Sequence, residues 1–412
     1  MNIFIWRTFV MINAPAAPSA STSASHSSHD DKRLQRIETL CVHAGVEPEP
    51  VTGAIMTPIF QTSTYVQSAP GEHKGYDYSR GGNPTRTSLE AALAALEQAR
   101  HGISFASGLA AVHAIAQLLN PGDHVLVCDD VYGGTGRLFR RLFAKYGIDF
   151  EFIDMRNPQE LSSKFKPKTR LVWIETPTNP LLRIVDISAV ADLARAQGAW
   201  TVVDNTFASP IFQQPLRLGA DIVLHSTTKY IGGHSDLVGG ALMLNDDSLA
   251  EQLRFIQFAG GAVNAPQECF ILLRSIKTLA LRMQRHHENA SAVAQAMLTM
   301  PGFSEVIFPG LESHPQHALA CRQMTGFSGM VSVRMKGSFE DVKKFLSRLR
   351  VISLAESLGG VESLVNHPET MTHASVPPDH RKKIGIDSNL LRFSIGIENV
   401  QDLIDDIGSA LV

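Results

Sequence analysis

The segment His225-Ser226-Thr227-Thr228-Lys229-Tyr230 sets one lysine behind two alternating hydroxyl side chains, and upstream the apolar run from Trp200 to Val203 ends on Asp204. These residue types suit a particular chemistry. A lysine that condenses with the aldehyde of pyridoxal phosphate needs donors for the phosphate and a carboxylate for the pyridine nitrogen. Ser226 and Thr228 can point the same way from one short loop. Asp204 stands where a buried parallel strand emerges, the edge at which open α/β sheets meet their ligands. Alone, Lys229 reads as a solvated surface lysine; its neighbours along the chain decide against that.

Ser107-Gly108-Leu109-Ala110-Ala111 opens an expected helix, where outward N–H groups and the helix dipole favour an anion, although Ser107 and Gly108 also serve as ordinary capping residues. The segment from Asp129 to Arg137 follows an expected strand; its glycines admit a ligand to the backbone, and Tyr132 can lie flat on an aromatic ring. Gly134-Thr135-Gly136 is also a partial dinucleotide-binding signature, but its third position is Phe139 and no acidic strand end follows at the needed distance. In the loop Tyr78-Ser79-Arg80-Gly81-Gly82-Asn83, Arg80 is a planar, bidentate phosphate donor with the Tyr78 hydroxyl beside it. That loop lies well before the sheet, so a neighbouring subunit is expected to receive it; a solvated arginine is the plainer alternative. Asn179 leaves another strand end and can donate to a phenolate oxygen, or act only as a turn residue before Pro180. Glu356, Ser357 and Arg392 come from the far end of the chain. An arginine in an apolar strand needs a partner, either a substrate α-carboxylate or a local acid in an inter-strand salt bridge.

Holding these groups together calls for alternating strands and helices. Strands are expected at 125–128, 150–153, 171–174, 201–203 and 222–224, and helices at 89–98, 108–119, 136–146, 158–165 and 187–197, a βαβ pattern with a mostly parallel sheet. One long helical region, 266–298, leads to a smaller α+β pattern with strands at 330–335 and 391–395 and helices at 339–349 and 401–411. The expected organisation is a disordered tail over 1–32, an N-terminal arm over 33–84, a cofactor-binding domain over 85–285 and a C-terminal domain over 286–412.

With 412 residues, 44% of them hydrophobic, and a formal net charge of −3, the chain has ample core and no basic patch for nucleic acid. Its four cysteines form no Cys-x-x-Cys pair, which argues against a zinc site or disulfide framework and for a reducing compartment. The first segment is poor in large apolar groups and reads as disordered. Arg7 and Thr8 interrupt its apolar start, which weighs against a secretory signal, and no run reaches the ~20 apolar residues of a membrane span.

Taken in order, Tyr78-Ser-Arg-Gly-Gly-Asn-Pro-Thr-Arg86, Ala106-Ser-Gly-Leu-Ala110, Asp130-Val-Tyr-Gly-Gly-Thr135, Glu175-Thr-Pro-Thr-Asn-Pro180, Val203-Asp-Asn-Thr206, Ser226-Thr-Thr-Lys-Tyr230, Gly233-His-Ser-Asp236 and Leu354-Ala-Glu-Ser-Leu-Gly-Gly360 resemble the Cys/Met metabolism family of pyridoxal-phosphate enzymes. The resemblance extends from Thr39 to the C-terminus. It implies an α/β fold of the type I, aspartate aminotransferase-like PLP-dependent transferases, in a cytoplasmic homotetramer of dimers that share active sites. It implies that Lys229 is the Schiff-base lysine and proton carrier, Asp204 the partner of the pyridinium, and Tyr132 the stacked ring. Gly108, Leu109, Ser226 and Thr228 would hold the phosphate, with Tyr78 and Arg80 arriving from the partner subunit. Tyr78, Arg137, Asn179, Glu356, Ser357 and Arg392 would bind an amino-acid substrate.

Among the family's activities the resemblance points first to cystathionine γ-lyase, then to cystathionine γ-synthase and cystathionine β-lyase. Methionine γ-lyase is disfavoured because Gly134 stands where those enzymes usually carry cysteine. The chain departs from the family's usual pattern at Gly232, commonly Asn, and at Phe258, where the segment 258–266 usually begins with Asn. A catalytically silent binding protein on the same fold is the alternative of another class, and the intact Lys229, Asp204 and Tyr132 argue against it.

Overall fold

A computed structural model describes residues 36–412, so the tail expected over 1–32 lies outside the described residues. Seven strands form the larger sheet: β1 (His101–Phe105), β2 (His124–Cys128), β3 (Asp149–Ile153), β4 (Thr169–Glu175), β5 (Trp200–Asp204), β6 (Ile222–His225) and β7 (Gly240–Leu244), in the spatial order β1-β7-β6-β5-β4-β2-β3. β3, β2, β4, β5 and β6 run parallel, and β7 lies antiparallel between β6 and the edge strand β1. The parallel strands are covered on both faces, which is why they read as unbroken apolar runs: Val125, Leu126, Val172, Trp173, Val202 and Ile222 are fully buried.

Each expected strand of this sheet is present, one to three residues longer than its apolar run. β1 and β7 were not expected, because Gly102, Ser104 and Gly240 interrupt their patterns. Two helices begin earlier than expected. The helix expected from 89 starts at Pro84 (Pro84–Leu96), since proline fits the first helical position and the Asn83 carboxamide oxygen accepts the amides of Thr85 and Arg86 at 3.0 and 3.4 Å. The helix expected over 136–146 runs instead over Gly133–Arg141, followed by a 3₁₀ turn, Phe143–Tyr146.

The second sheet has five strands, β8 (Phe303–Ile307), β9 (Met330–Met335), β10 (Ser353–Leu354), β11 (Leu364–Asn366) and β12 (Leu390–Ser394), ordered β10-β11-β12-β9-β8. Phe339–Arg348, closed by a capping box between Ser338 and Asp341, and Val400–Ala410 cover it. The long helical region resolves into two helices, Pro266–Ile276 and Leu279–Met297. The boundary expected at 285/286 falls inside the second of these. Its start, with Leu279 and Met283, packs into the core beside the large sheet, and its end, with Ala290, Val293, Ala294 and Met297, into the core of the small one. One helix thus belongs to both layers and fixes their relation.

Candidate active site

A cavity of about 260 Å³ opens at the carboxyl edge of the parallel strands, with one wall contributed by the 356–358 segment and Arg392. Its anion end is the start of the helix Gly108–Ala116. Ser107 caps it by accepting the Ala110 amide at 3.0 Å, which leaves the Gly108 and Leu109 amides, at the helix mouth, without intrahelical partners. Ser226 and Thr228 line the same end. Thr228 Oγ1 is tied to the Gly239 backbone, donating to its carbonyl at 3.1 Å and accepting its amide at 3.0 Å.

At the opposite end Asp204 is 8% exposed. Its Oδ1 accepts from Thr206 N at 3.1 Å and Thr206 Oγ1 at 2.5 Å, and Oδ2 has no donor among the described residues. Glu175 lies directly across on β4, in register with Asp204, and its Oε2 accepts the Tyr132 amide at 2.9 Å. Two carboxylates so close and so dry cannot both hold full charge. Burial, then the Asp204 charge, pushes Glu175 well above the usual carboxylate range. Burial also raises Asp204, but the two Thr206 hydrogen bonds and the nearby His225 charge work against it. Of the two, Glu175 is the one pushed further toward its neutral form. Tyr132, 38% exposed, overlies this end. Its ring rests on Gly134, where a Cβ would come within 2.9 Å of the Tyr132 Cζ.

Lys229 Nζ donates to Ser357 Oγ at 2.5 Å. Burial, then the Arg392 charge, brings the amine down to about 8, so near neutral pH it can both give and take a proton. Ser357 holds a left-handed conformation, φ 87°, rare for a residue with a Cβ. It is locked there by bonds from both sides, since its carbonyl also accepts Arg392 Nη2 at 3.0 Å. Arg392, 2% exposed, donates through Nη1 to Asn179 Oδ1 at 2.7 Å. Its Nε has no partner among the described residues, and burial lowers its pKa to about 10. The inter-strand salt bridge considered for Arg392 is not formed among the described residues; its contacts are neutral oxygens, which leaves its charge available to an anion in the cavity.

Three expected site residues lie outside this cavity. Tyr78 is 45% exposed. Arg80 donates to the Phe258 carbonyl at 2.7 Å, with its guanidinium over the Phe258 ring at 4.4 Å and the Tyr78 ring at 5.4 Å. Phe258, a departure from the usual family pattern, is thus the residue that orients Arg80. Among the described residues the Arg137 side chain donates only to Ser375 Oγ, at 3.5 Å. Three residues that shape the site were missed. Glu175 and Thr206 lie within the family motifs, and the pattern that marks Asp204, an acid closing an apolar strand, marks Glu175 too. Buried His373, whose Nε2 bonds the Asn179 carbonyl at 2.9 Å, offered no such signal.

The residues fit pyridoxal phosphate. A helix mouth with two hydroxyl side chains suits the phosphate, a carboxylate with a free oxygen suits the ring nitrogen, an aromatic ring covers the space between, and a lysine with a lowered pKa faces it.

A sequence model described as the Cys/Met metabolism PLP-dependent enzymes matches residues 38–412. The chain is 52% identical to a cystathionine γ-lyase of Dictyostelium discoideum, over 91% of this chain and 97% of that one. It is 50% identical to a cystathionine γ-synthase of Mycobacterium bovis, over 90% and 96%, and 49% identical to a cystathionine β-lyase of Coxiella burnetii, over 93% and 99%. The crystal structure of a cystathionine γ-lyase from Lactobacillus plantarum complexed with L-serine superposes with a TM-score of 0.89 at 42% identity, covering 91% of this chain and 98% of that one.

Proposed function

Because this chain belongs to the Cys/Met metabolism PLP-dependent enzymes, we propose that within them it is a cystathionine γ-lyase, converting cystathionine and water into cysteine, 2-oxobutanoate and ammonia. The observation that carries this reading is that Arg392 and Glu356 line one cavity with Lys229. A substrate with an amino-acid group at each end can anchor its α-carboxylate on Arg392 and its distal ammonium on Glu356, which brings the bonds between them to Lys229.

In this reading Gly108, Leu109, Ser226 and Thr228 hold the cofactor phosphate, Asp204 faces the ring nitrogen and Tyr132 covers the ring. When bound, pyridoxal phosphate supplies the electron sink for negative charge developing at the substrate Cα. Asp204 sustains that sink by keeping the ring nitrogen protonated. Asn179 and the Ser357 carbonyl aim Arg392 at the α-carboxylate. Lys229 Nζ takes the Cα proton, and a second proton lost from Cβ lets the γ-sulfur leave as the cysteine thiol. Ser357 Oγ holds the amine in line between these transfers. The low pKa of Lys229 makes the shuttle workable, because an ordinary lysine at neutral pH is almost wholly ammonium.

Tyr78 and Arg80 are assigned to the cavity of a second subunit, with residues 33–84 as the arm that carries them. The family assembly, a homotetramer of dimers, is proposed with them. Among the described residues no helix is long and apolar enough to cross a membrane and Cys41, Cys128, Cys269 and Cys321 are all free thiols; a cytoplasmic location is proposed on the latter ground.

The test is product analysis after incubation with cystathionine. Cysteine with 2-oxobutanoate is expected. Homocysteine with pyruvate would mark β-cleavage, and cystathionine formed from cysteine and an activated homoserine ester, with no cleavage, would mark a γ-synthase.

A further inference from the structure

Behind the cavity, on the other face of the large sheet, lies a buried polar cluster with no part in the chemistry above. Asp204 and Leu224 are cross-strand partners, and both line the cavity. The residues after them, Asn205 and His225, therefore turn to the opposite face. There they meet Glu97, the residue that closes the helix Pro84–Leu96. Glu97 and Asn205 are fully buried and His225 is 1% exposed. Glu97 Oε1 accepts from His225 Nε2 at 2.5 Å and from Asn205 Nδ2 at 3.0 Å. Asn205 Oδ1 in turn accepts Gln213 Nε2 at 2.9 Å, and the same nitrogen donates to the Thr176 carbonyl at 3.0 Å.

The cluster thus grips three adjacent strand ends, and each one continues directly into the site. Thr176 follows Glu175 and leads to Asn179, Asn205 follows Asp204, and His225 precedes Ser226, Thr228 and Lys229. If holding the strands were all that mattered, apolar packing would do it without burying a carboxylate, and buried ion pairs are poor stabilisers for their cost. What a hydrogen-bonded cluster adds is direction, since each of its bonds holds one strand end at a set distance and angle.

We propose that Glu97 and His225 are positioning residues for the cofactor site, together fixing the ends of β4, β5 and β6 from behind and so setting where Asp204 stands against the cofactor ring. The proposal rests on the assignment of Asp204 to the cofactor ring. Neither residue touches the cavity, so both act through Asp204 and the strand ends.

The test compares holoenzyme variants Glu97→Gln, His225→Gln and Asp204→Asn with wild type, and Glu97→Asp as the conservative rescue. The readouts are the coenzyme dissociation rate, the ratio of the coenzyme's two near-ultraviolet and visible absorption bands at fixed pH, and the thermal midpoint of the coenzyme-free protein. Glu97→Gln is expected to speed coenzyme loss about tenfold, the scale on which removing the support of a ligating side chain is felt, and to move the band ratio in the same direction as Asp204→Asn. Glu97→Asp should recover most of both. His225→Gln changes the reach and direction of the donor that the end of β6 offers Glu97, so it should shift the bands even if Glu97→Gln folds poorly. A lowered thermal midpoint with wild-type bands and retention in Glu97→Gln and His225→Gln, while Asp204→Asn alters both, would reduce the pair to a structural role and overturn the proposal alone. Wild-type bands and retention in Asp204→Asn as well would overturn the assignment of Asp204 and this proposal with it.

Discussion

Replacing Lys229 with methionine should abolish turnover and, at neutral pH, make the coenzyme-free protein more stable. Burial and the Arg392 charge lower this amine from 10.5 to about 8, a shift worth roughly 3 kcal/mol at about 1.4 kcal/mol per unit. The unfolded chain holds the proton up to the ordinary lysine value and the folded chain releases it near 8. Between those two points the unfolded state binds more protons, and stability rises with pH. Below about 8 the folded protein bears the full cost of a buried ammonium. Methionine removes that cost and loses the hydrogen bond to Ser357, a term of about 1 kcal/mol. The net expectation is about 2 kcal/mol of added stability at pH 7, fading as pH approaches 10 and reversing above it. Urea unfolding of both coenzyme-free proteins at pH 7 and pH 10 measures it. A variant less stable at both pH values, or a difference that does not change with pH, refutes the reasoning. The sign can be checked again with Arg392→Met: removing that charge should raise the Lys229 pKa and shrink the pH-dependent term.

Two further substitutions separate the scaffold from the site. Asp406 accepts the amides of Arg350, Val351 and Ile352 at 2.8, 3.0 and 3.0 Å, so Asp406→Ala should cost about 3 kcal/mol by leaving those amides without an acceptor; a lowered thermal midpoint with an unchanged coenzyme spectrum is expected. Gly240 passes so close to the helix mouth that a Cβ there would lie 2.6 Å from the Ser107 carbonyl carbon and 2.7 Å from the Gly108 amide nitrogen. Gly240→Ala should therefore displace the phosphate cradle and weaken coenzyme binding by roughly tenfold, or about 1.4 kcal/mol, whereas Gly260→Ala, with nothing within 4 Å of its Cβ, should leave binding as it is; equilibrium titration with pyridoxal phosphate measures both.

How much of this was legible in the sequence depended on whether a residue's role could be seen in its neighbours along the chain. The parallel strands were legible because burial on both faces demands unbroken apolar runs, as in Val202-Val203 before Asp204. The antiparallel pair β1 and β7 was not, because Gly102 and Gly240 lie where helix ends or backbone approach closely, and small residues erase the pattern. The Ser226, Thr228 and Lys229 loop, Asp204 and the Gly108 helix mouth were legible because each motif is local. Ser357 was legible as a contact, but its left-handed backbone was not: nothing in Leu354-Ala-Glu-Ser-Leu-Gly-Gly360 announces that the serine, rather than either glycine, takes a positive φ of 87°. Its conformation is imposed by two long-range bonds, from Lys229 and Arg392.

The same distinction explains why Glu97 and His225 carry no signal along the chain while Lys229, four residues beyond His225, does. Glu97 and His225 are 128 positions apart, and each alone is an unremarked polar residue at the end of a regular element. Only the fold brings the end of the helix Pro84–Leu96 beneath the end of β6, and only then does a carboxylate find its imidazole. A parallel sheet makes this arrangement natural, since alternate residues at a strand's carboxyl end face opposite sides. One residue goes to the cavity and the next to the support beneath it. Asp204 with Asn205 and Leu224 with His225 are two such pairs, side by side. In this site the groups positioned for chemistry and the groups that hold them are therefore neighbours along the chain, with the partners of the supporting set drawn from elsewhere.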